Sequence, residues 1–265
     1  MKFCLENKRF PTKFTTMKIL LSPAKLMRSY PPIATSPLPF TKETKSLIQI
    51  LKKWTVADFA VQMKLSEEKA KETYDMFQKW GEKANQSNVS PAIFAYIGEA
   101  FKALNAAQLS EGELAYLQKH LWILSGLYGV LSAAENIEPY RLEMAQRGVA
   151  PKGQSLYAYW RPHIEKHLLN ILDSDEQILN LASSEYSDLL QDERLRTRFI
   201  TPHFLESKNG QLKAVSVFAK QARGTMARWC ATQQINEPLA IKGFDDLGYR
   251  YSSANSSENE LVFIR

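Results

Sequence analysis

Cysteine is nearly absent: Cys4 and Cys230 are the only two in 265 residues. They form no CxxC pair, which excludes a disulfide framework and a thiolate zinc site. No apolar run approaches the roughly 18 residues needed to span a membrane. The opening MKFCLENKRFPTKFTT is basic and lacks the apolar centre of a secretory signal, so the expected setting is the reducing cytoplasm. Glycine and proline number only 11 and 12, which excludes a collagen-like or low-complexity chain. Histidine is also scarce. His163 and His167 have helical spacing, but His-Ile-Glu-Lys-His is not His-Glu-x-x-His and no third ligand is apparent. The glycines of Ser125–Leu131 match neither a P-loop nor a dinucleotide fingerprint and read as turn residues. No metal and no cofactor is expected.

What is present is a large apolar fraction, 45%, with 11% aromatic residues, enough for one sizeable core. Short apolar runs at 18–21, 178–182, 213–218 and 260–264 read as strands separated by long helical stretches. That pattern predicts an α/β (α+β) fold, a compact single domain with a mixed sheet surrounded by helices. Met17 directly precedes strand-like Ile19-Leu20-Leu21, so residues 17–265 are assigned to the domain and 1–16 to an extension outside it. Four prolines make 31–39 extended. Helices are expected at about 41–53, 55–62, 66–80 and 156–172. Another starts at Ser110, whose capping-box partner is Glu113, with Leu114, Leu117 and Leu121 as its apolar stripe.

The net charge is +6, and it is unevenly spread. Between 194 and 228 stand Arg194, Arg196, Arg198, Lys208, Lys213, Lys220, Arg223 and Arg228, with Glu206 the only acid. A local surplus of this kind suits phosphate binding, or simply a solvated face. Lys213–Gln233 reads as a strand running into a helix from about Ala219. Lys220, Arg223 and Arg228 then share an arc of about 140°. Gly224, Ala227 and Ala231 lie among them as a small-residue floor that an anionic backbone can approach.

Two further segments are candidates. Residues 55–80 read as a helical hairpin whose second helix begins at Ser66, with Ser66 and Lys69 placed to meet a phosphate. The turn Met63-Lys64-Leu65 lacks Gly-x-Gly, and Glu67 and Glu68 oppose an anion, so a plain core hairpin is the stronger reading. Ser22-Pro23-Ala24-Lys25 follows the first strand, where Lys25 can meet an anion. Ser22 as a nucleophile has no evident base. Glu143, Glu185, Asp188 and Asp245 are the carboxylates considered for paired chemistry.

Across nearly all of 17–265 the chain resembles the YaaA peroxide-stress protein family. The resemblance is carried by ILLSPAK (19–25), LSGLYGVL (124–131), PYRLEM (139–144), LYAYW (156–160), NLASSEY (180–186), AKQARGTMAR (219–228), GY (248–249) and ELVF (260–263). It departs at Ser132-Ala-Ala-Glu-Asn136, where the family usually has Arg-Pro-Leu-Asp, at Gln221, where a basic residue is usual, and at Ser187, which replaces an aromatic. The resemblance implies a compact α/β fold with a positively charged cleft and a helix-hairpin-helix element. It implies a DNA-binding role in the hydrogen peroxide response that keeps unincorporated iron low and limits DNA oxidation. Lys25, Arg141, Lys220, Arg223 and Arg228 match its basic positions.

The expected partner is therefore double-stranded DNA, bulged or bent forms included, with no membrane and the oligomeric state open. The alternative is an enzyme acting on a nucleotide, nucleic acid or other phosphorylated substrate. In it Lys25, Arg141 and Arg223 would bind phosphate, and Ser22, Glu143 or Glu185 would do the chemistry. Direct iron sequestration is a third reading, which the scarcity of soft ligands disfavours.

Overall fold

Every residue of Met17–Leu21 except Lys18 is buried. Such a strand must be covered on both faces and paired on both edges. The computed structural model describes residues 17–33, 37–82 and 89–265. In it this strand lies inside an eight-stranded mixed sheet, between Gln177–Leu181 and Leu121–Ser125, parallel to both. Ile19 is opposite Leu179 on one side and Leu121 on the other. Beyond Gln177–Leu181 the sheet continues in parallel through Phe199–Lys208 and Glu260–Ile264. Antiparallel strands close it: Gly129–Ser132 at one edge, Arg250–Tyr251 at the other, and Gln211–Lys213 folded back on Phe199–Lys208.

The α/β assignment with a mixed sheet built from distant segments therefore holds. One hydrophobic core runs through the described residues, with Trp160 fully buried and its indole N–H donating to the Gly126 carbonyl at 2.8 Å. The proposed extension at 1–16 lies outside the described residues, as does part of the Pro-rich stretch, 34–36. Among the described residues no helix is long and apolar enough to cross a membrane.

Local signals placed most helices. Thr41–Leu51, Val56–Gln62, Glu67–Lys79 and Leu156–Ile171 fall where periodicity puts them. Ser110 and Glu113 form the expected capping box on Glu111–His120. That helix stops before Leu121, which instead opens a central strand. The hairpin of Val56–Gln62 and Glu67–Lys79 buries its apolar faces, with Phe59 stacked on Phe77 at 5.6 Å. Its turn places Lys64 in the left-handed region, φ 53°, where glycine would be easier.

One expectation is corrected. Residues 213–218 are not a strand: pairing ends at Lys213, and a helix spans Ser216–Thr232. Val215 and Val217 are exposed, so an extended chain there would have no face to bury. Ala219, Ala222, Met226 and Cys230, spaced three and four apart, are buried and make the segment helical.

The small residues of this helix also do something different from what their spacing suggested. Gly224 is packed on the backbone of Ala100 in the short helix Glu99–Leu104, and Ala227 and Ala231 are buried. The floor they form receives a helix, not an anion.

Strand order positions a crevice. The chain leaves Met17–Leu21 toward Leu121–Ser125 on one side, and leaves Gln177–Leu181 toward Phe199–Lys208 on the other. Neighbouring parallel strands with diverging connections open a gap beyond their carboxyl ends, the usual ligand position in α/β sheets.

Candidate functional site

A cavity of about 480 Å³ occupies that gap. Its floor is the two strand ends, Leu21 with Ser22–Leu26 and Leu181 with Ser183, Glu185 and Tyr186. Ser22 joins them: its hydroxyl accepts the Ser183 backbone N–H at 2.9 Å and lies 3.1 Å from the Ser183 hydroxyl. The start of Glu99–Leu104 forms one wall and Tyr140–Glu143 another. Gly126 makes the second wall fit, since a Cβ there would come within 2.5 Å of the Leu142 carbonyl. Lys220 and Arg223 from the long helix and Lys69 from the hairpin complete the lining.

Five of the eight sequence candidates thus meet at one cavity: Lys25, Lys69, Arg141, Lys220 and Arg223. Ser66, Lys213 and Arg228 are not among its lining residues. The Ser66 hydroxyl caps its helix by accepting the Lys69 N–H at 3.4 Å. Lys213 is exposed on its strand opposite Glu206. Arg228 donates through Nη1 to the carbonyls of Leu104 and Asn105, both at 3.2 Å, and so holds the end of the short helix.

The cavity also contains residues the sequence reading missed. Lys102 and Glu99 line it, which makes six cationic side chains against the carboxylates of Glu99, Glu143 and Glu185. Lys25 is ion-paired to Glu143 at 2.6 Å and Lys102 to Glu99 at 3.3 Å. Gln221, at the position that departs from the family pattern, donates to Glu99 at 2.7 Å. That bond, with Lys102 beside it, lowers the Glu99 pKa. Among the described residues Lys69, Arg141, Lys220 and Arg223 have no ion pair, and their charged ends no hydrogen bond. The Ser183-Ser184-Glu185 run, two residues beyond the end of Gln177–Leu181, was the available signal for the second half of the floor.

Burial tunes two groups. It raises the Glu185 carboxyl above its ordinary range, with nearby Glu143 adding to the effect and the Ala145 N–H, Lys25 and Lys220 opposing it. It also draws the Arg223 guanidinium below its usual value, which still leaves a cation at neutral pH. Behind the wall, Tyr140 sits between Ser125 Oγ at 2.7 Å and the Tyr96 hydroxyl at 2.8 Å, and burial pushes it up to about 12.

No histidine lines the cavity. His163 lies 3.6 Å from Glu43, and the His167 ring packs edge-on against Phe40. Among the described residues no group of three or more His, Cys, Asp or Glu side chains is arranged to hold a metal ion. Asp245 lies 3.8 Å from Arg250 and is not among the residues lining the cavity.

Residues 17–255 match the family model described as peroxide stress protein YaaA. A UPF0246 protein of Marinomonas sp. (strain MWYL1) is 38% identical over 252 residues, covering 94% of this chain and 97% of the relative. One of Janthinobacterium sp. (strain Marseille) is 39% identical over 254 residues, covering 94% and 98%. Another, of Maricaulis maris (strain MCS10), is 40% identical over 255 residues, covering 94% and 96%.

Proposed function

Since this chain belongs to the peroxide stress protein YaaA family, we propose that it serves the peroxide stress response by binding DNA. Lys69, Arg141, Lys220 and Arg223 contact phosphates around the cavity mouth. The observation that carries the reading is the convergence of these four cations, none with an internal ion pair among the described residues, on one concavity. Like charges held together repel, and none of the four is ion-paired within the described residues, so an external anion is their natural counterpart. Each phosphate they neutralise releases counterions, so affinity falls with salt and depends little on base sequence. By occupying DNA the protein would limit oxidation at the polymer itself, without holding iron.

The test is fluorescence anisotropy with a labelled duplex, intact and with a one-nucleotide bulge, over a salt series. Lys220→Ala and Arg141→Ala should each weaken binding alike for unrelated sequences. Each should also flatten the slope of log affinity against log salt by about one. Slopes identical to the parent in both variants would refute the assignment.

A second reading, an enzyme acting on a nucleotide, nucleic acid or other phosphorylated substrate, is favoured by one observation. Burial, with Glu143 nearby in the same cavity, raises the Glu185 carboxyl above its ordinary range, the direction a general acid needs. Product formation from labelled oligonucleotides or nucleotides that disappears in Glu185→Gln and Glu143→Gln would select it.

A further inference from the structure

A volume of about 480 Å³ is that of a small-molecule site, so a duplex meets only the cavity mouth. What enters the interior follows from its charge and from its floor. Glu143 is engaged by Lys25 at 2.6 Å and Glu99 by Lys102 at 3.3 Å. Lys69, Arg141, Lys220 and Arg223 then face the one remaining carboxylate, Glu185, a surplus of three positive charges. An internal DNA phosphate carries a single negative charge. A phosphate monoester carries about two near neutral pH, with three acceptor oxygens.

The floor supplies a donor. Ser22 Oγ accepts the Ser183 backbone N–H, and the two hydroxyls lie 3.1 Å apart with no other partner among the described residues. Whichever serine donates to the other, one hydroxyl proton is left over. Both residues line the cavity and neither is fully buried. That proton is therefore open to an acceptor at the carboxyl ends of the two central strands. An internal phosphate is joined to chain on both sides, and its strand would have to double back to reach this floor. A strand end has chain on one side only and can enter alone.

We infer that the cavity is a phosphomonoester site that takes the terminal phosphate of a DNA strand. Arg141, Lys220 and Arg223 surround the phosphate, and the free hydroxyl of the Ser22–Ser183 pair donates to it from beneath. The roughly three negative charges of a terminal phosphate and the diester beside it match the surplus. This rests on the DNA-binding reading and deepens it: the preferred DNA carries phosphorylated ends or nicks.

The experiment uses one labelled duplex with short single-stranded overhangs, prepared with hydroxyl ends, with 5′-phosphates or with 3′-phosphates. Binding is measured at fixed salt for the parent, Lys220→Gln, the double variant Ser22→Ala/Ser183→Ala, and Lys213→Gln. The last removes an exposed charge that is not part of the cavity lining. The parent should bind one of the phosphorylated forms roughly tenfold more tightly than the hydroxyl form. That ratio should fall toward one in Lys220→Gln and in the serine variant, and persist in Lys213→Gln. Lys220 is exposed, so its substitution leaves the core intact if the serine variant fails to fold.

Equal affinity of the parent for the three duplexes would overturn the terminal-phosphate site while leaving DNA binding intact. A preference that survives in either cavity variant, or is lost equally in Lys213→Gln, would do the same, since net charge alone then explains it. If no DNA binds even at low salt, the DNA reading falls, and calorimetric titration with phenyl phosphate decides the site. Binding that Lys220→Gln weakens roughly tenfold would support a phosphomonoester site for small molecules, and no binding would overturn it.

Discussion

A methyl group built on Gly224 would lie 1.8 Å from the Ala100 carbonyl oxygen. The helices carrying these residues thus touch backbone to backbone, and no rotamer change can relieve the overlap. Gly224→Ala should cost about 3 kcal/mol or more, despite the better helix propensity of alanine. A fall in melting temperature on the order of 10 °C is expected. Gly112, in Glu111–His120, has nothing within 4 Å of its virtual Cβ. Gly112→Ala should leave the melting temperature unchanged or slightly raised, and an equal loss in both variants would contradict the close-contact account.

Arg228 and Lys213 provide the contrast to the cavity cations. Arg228→Ala removes two hydrogen bonds to the end of Glu99–Leu104 and should cost about 1–2 kcal/mol of stability. Lys213→Ala should change neither stability nor the salt slope of DNA binding. Denaturant titration and anisotropy together check both statements, and a slope change of about one for Lys213 would move the interface to a different face.

Glu135 makes the fold sensitive to pH. Its carboxylate accepts the Ser132 N–H at 2.9 Å, but burial raises its pKa from 4.5 to about 7. Between those values the folded chain holds a proton that the unfolded chain has released, so stability falls as pH rises. Glu135→Gln should match the parent at pH 4 and exceed it at pH 8 by on the order of 3 kcal/mol. Denaturation curves at the two pH values measure the gap, and a gap that does not widen with pH would disprove the burial mechanism.

Cys230 is fully buried and burial pushes its thiol pKa up, so it lacks the thiolate that reacts with peroxide. In a Cys4→Ser background the native protein should resist both a disulfide reagent and millimolar peroxide. Full labelling should appear on unfolding. Rapid labelling of the native chain would show the thiol to be accessible.

Signals that depend on neighbouring residues were legible in the sequence. The run at 260–264 is a strand over those residues, and Ser110 with Glu113 marks a helix start because capping is settled within one turn. Val215 and Val217 misled because their β-propensity counts only if a sheet offers a face to cover them, and none does. The same limit applies at the cavity. Lys25, Arg141, Lys220 and Arg223 stood out as cations, and Glu143 and Glu185 as acids, but nothing local says that strand order brings them together. Glu99 and Lys102 were invisible because they join the site only through the packing of their helix on Gly224. The small-residue face itself was read correctly, and only its occupant was misassigned.

The interlock of Ala100 with Gly224 has a consequence for biosynthesis. While the ribosome is still making the sheet's inner strands, the partner of the short helix has not yet been translated. A product interrupted before residue 216 would possess the strand ends and their serines but neither Lys220 nor Arg223. The cationic lining of the cavity is therefore completed late in translation, and prematurely terminated fragments should lack two of its six cations.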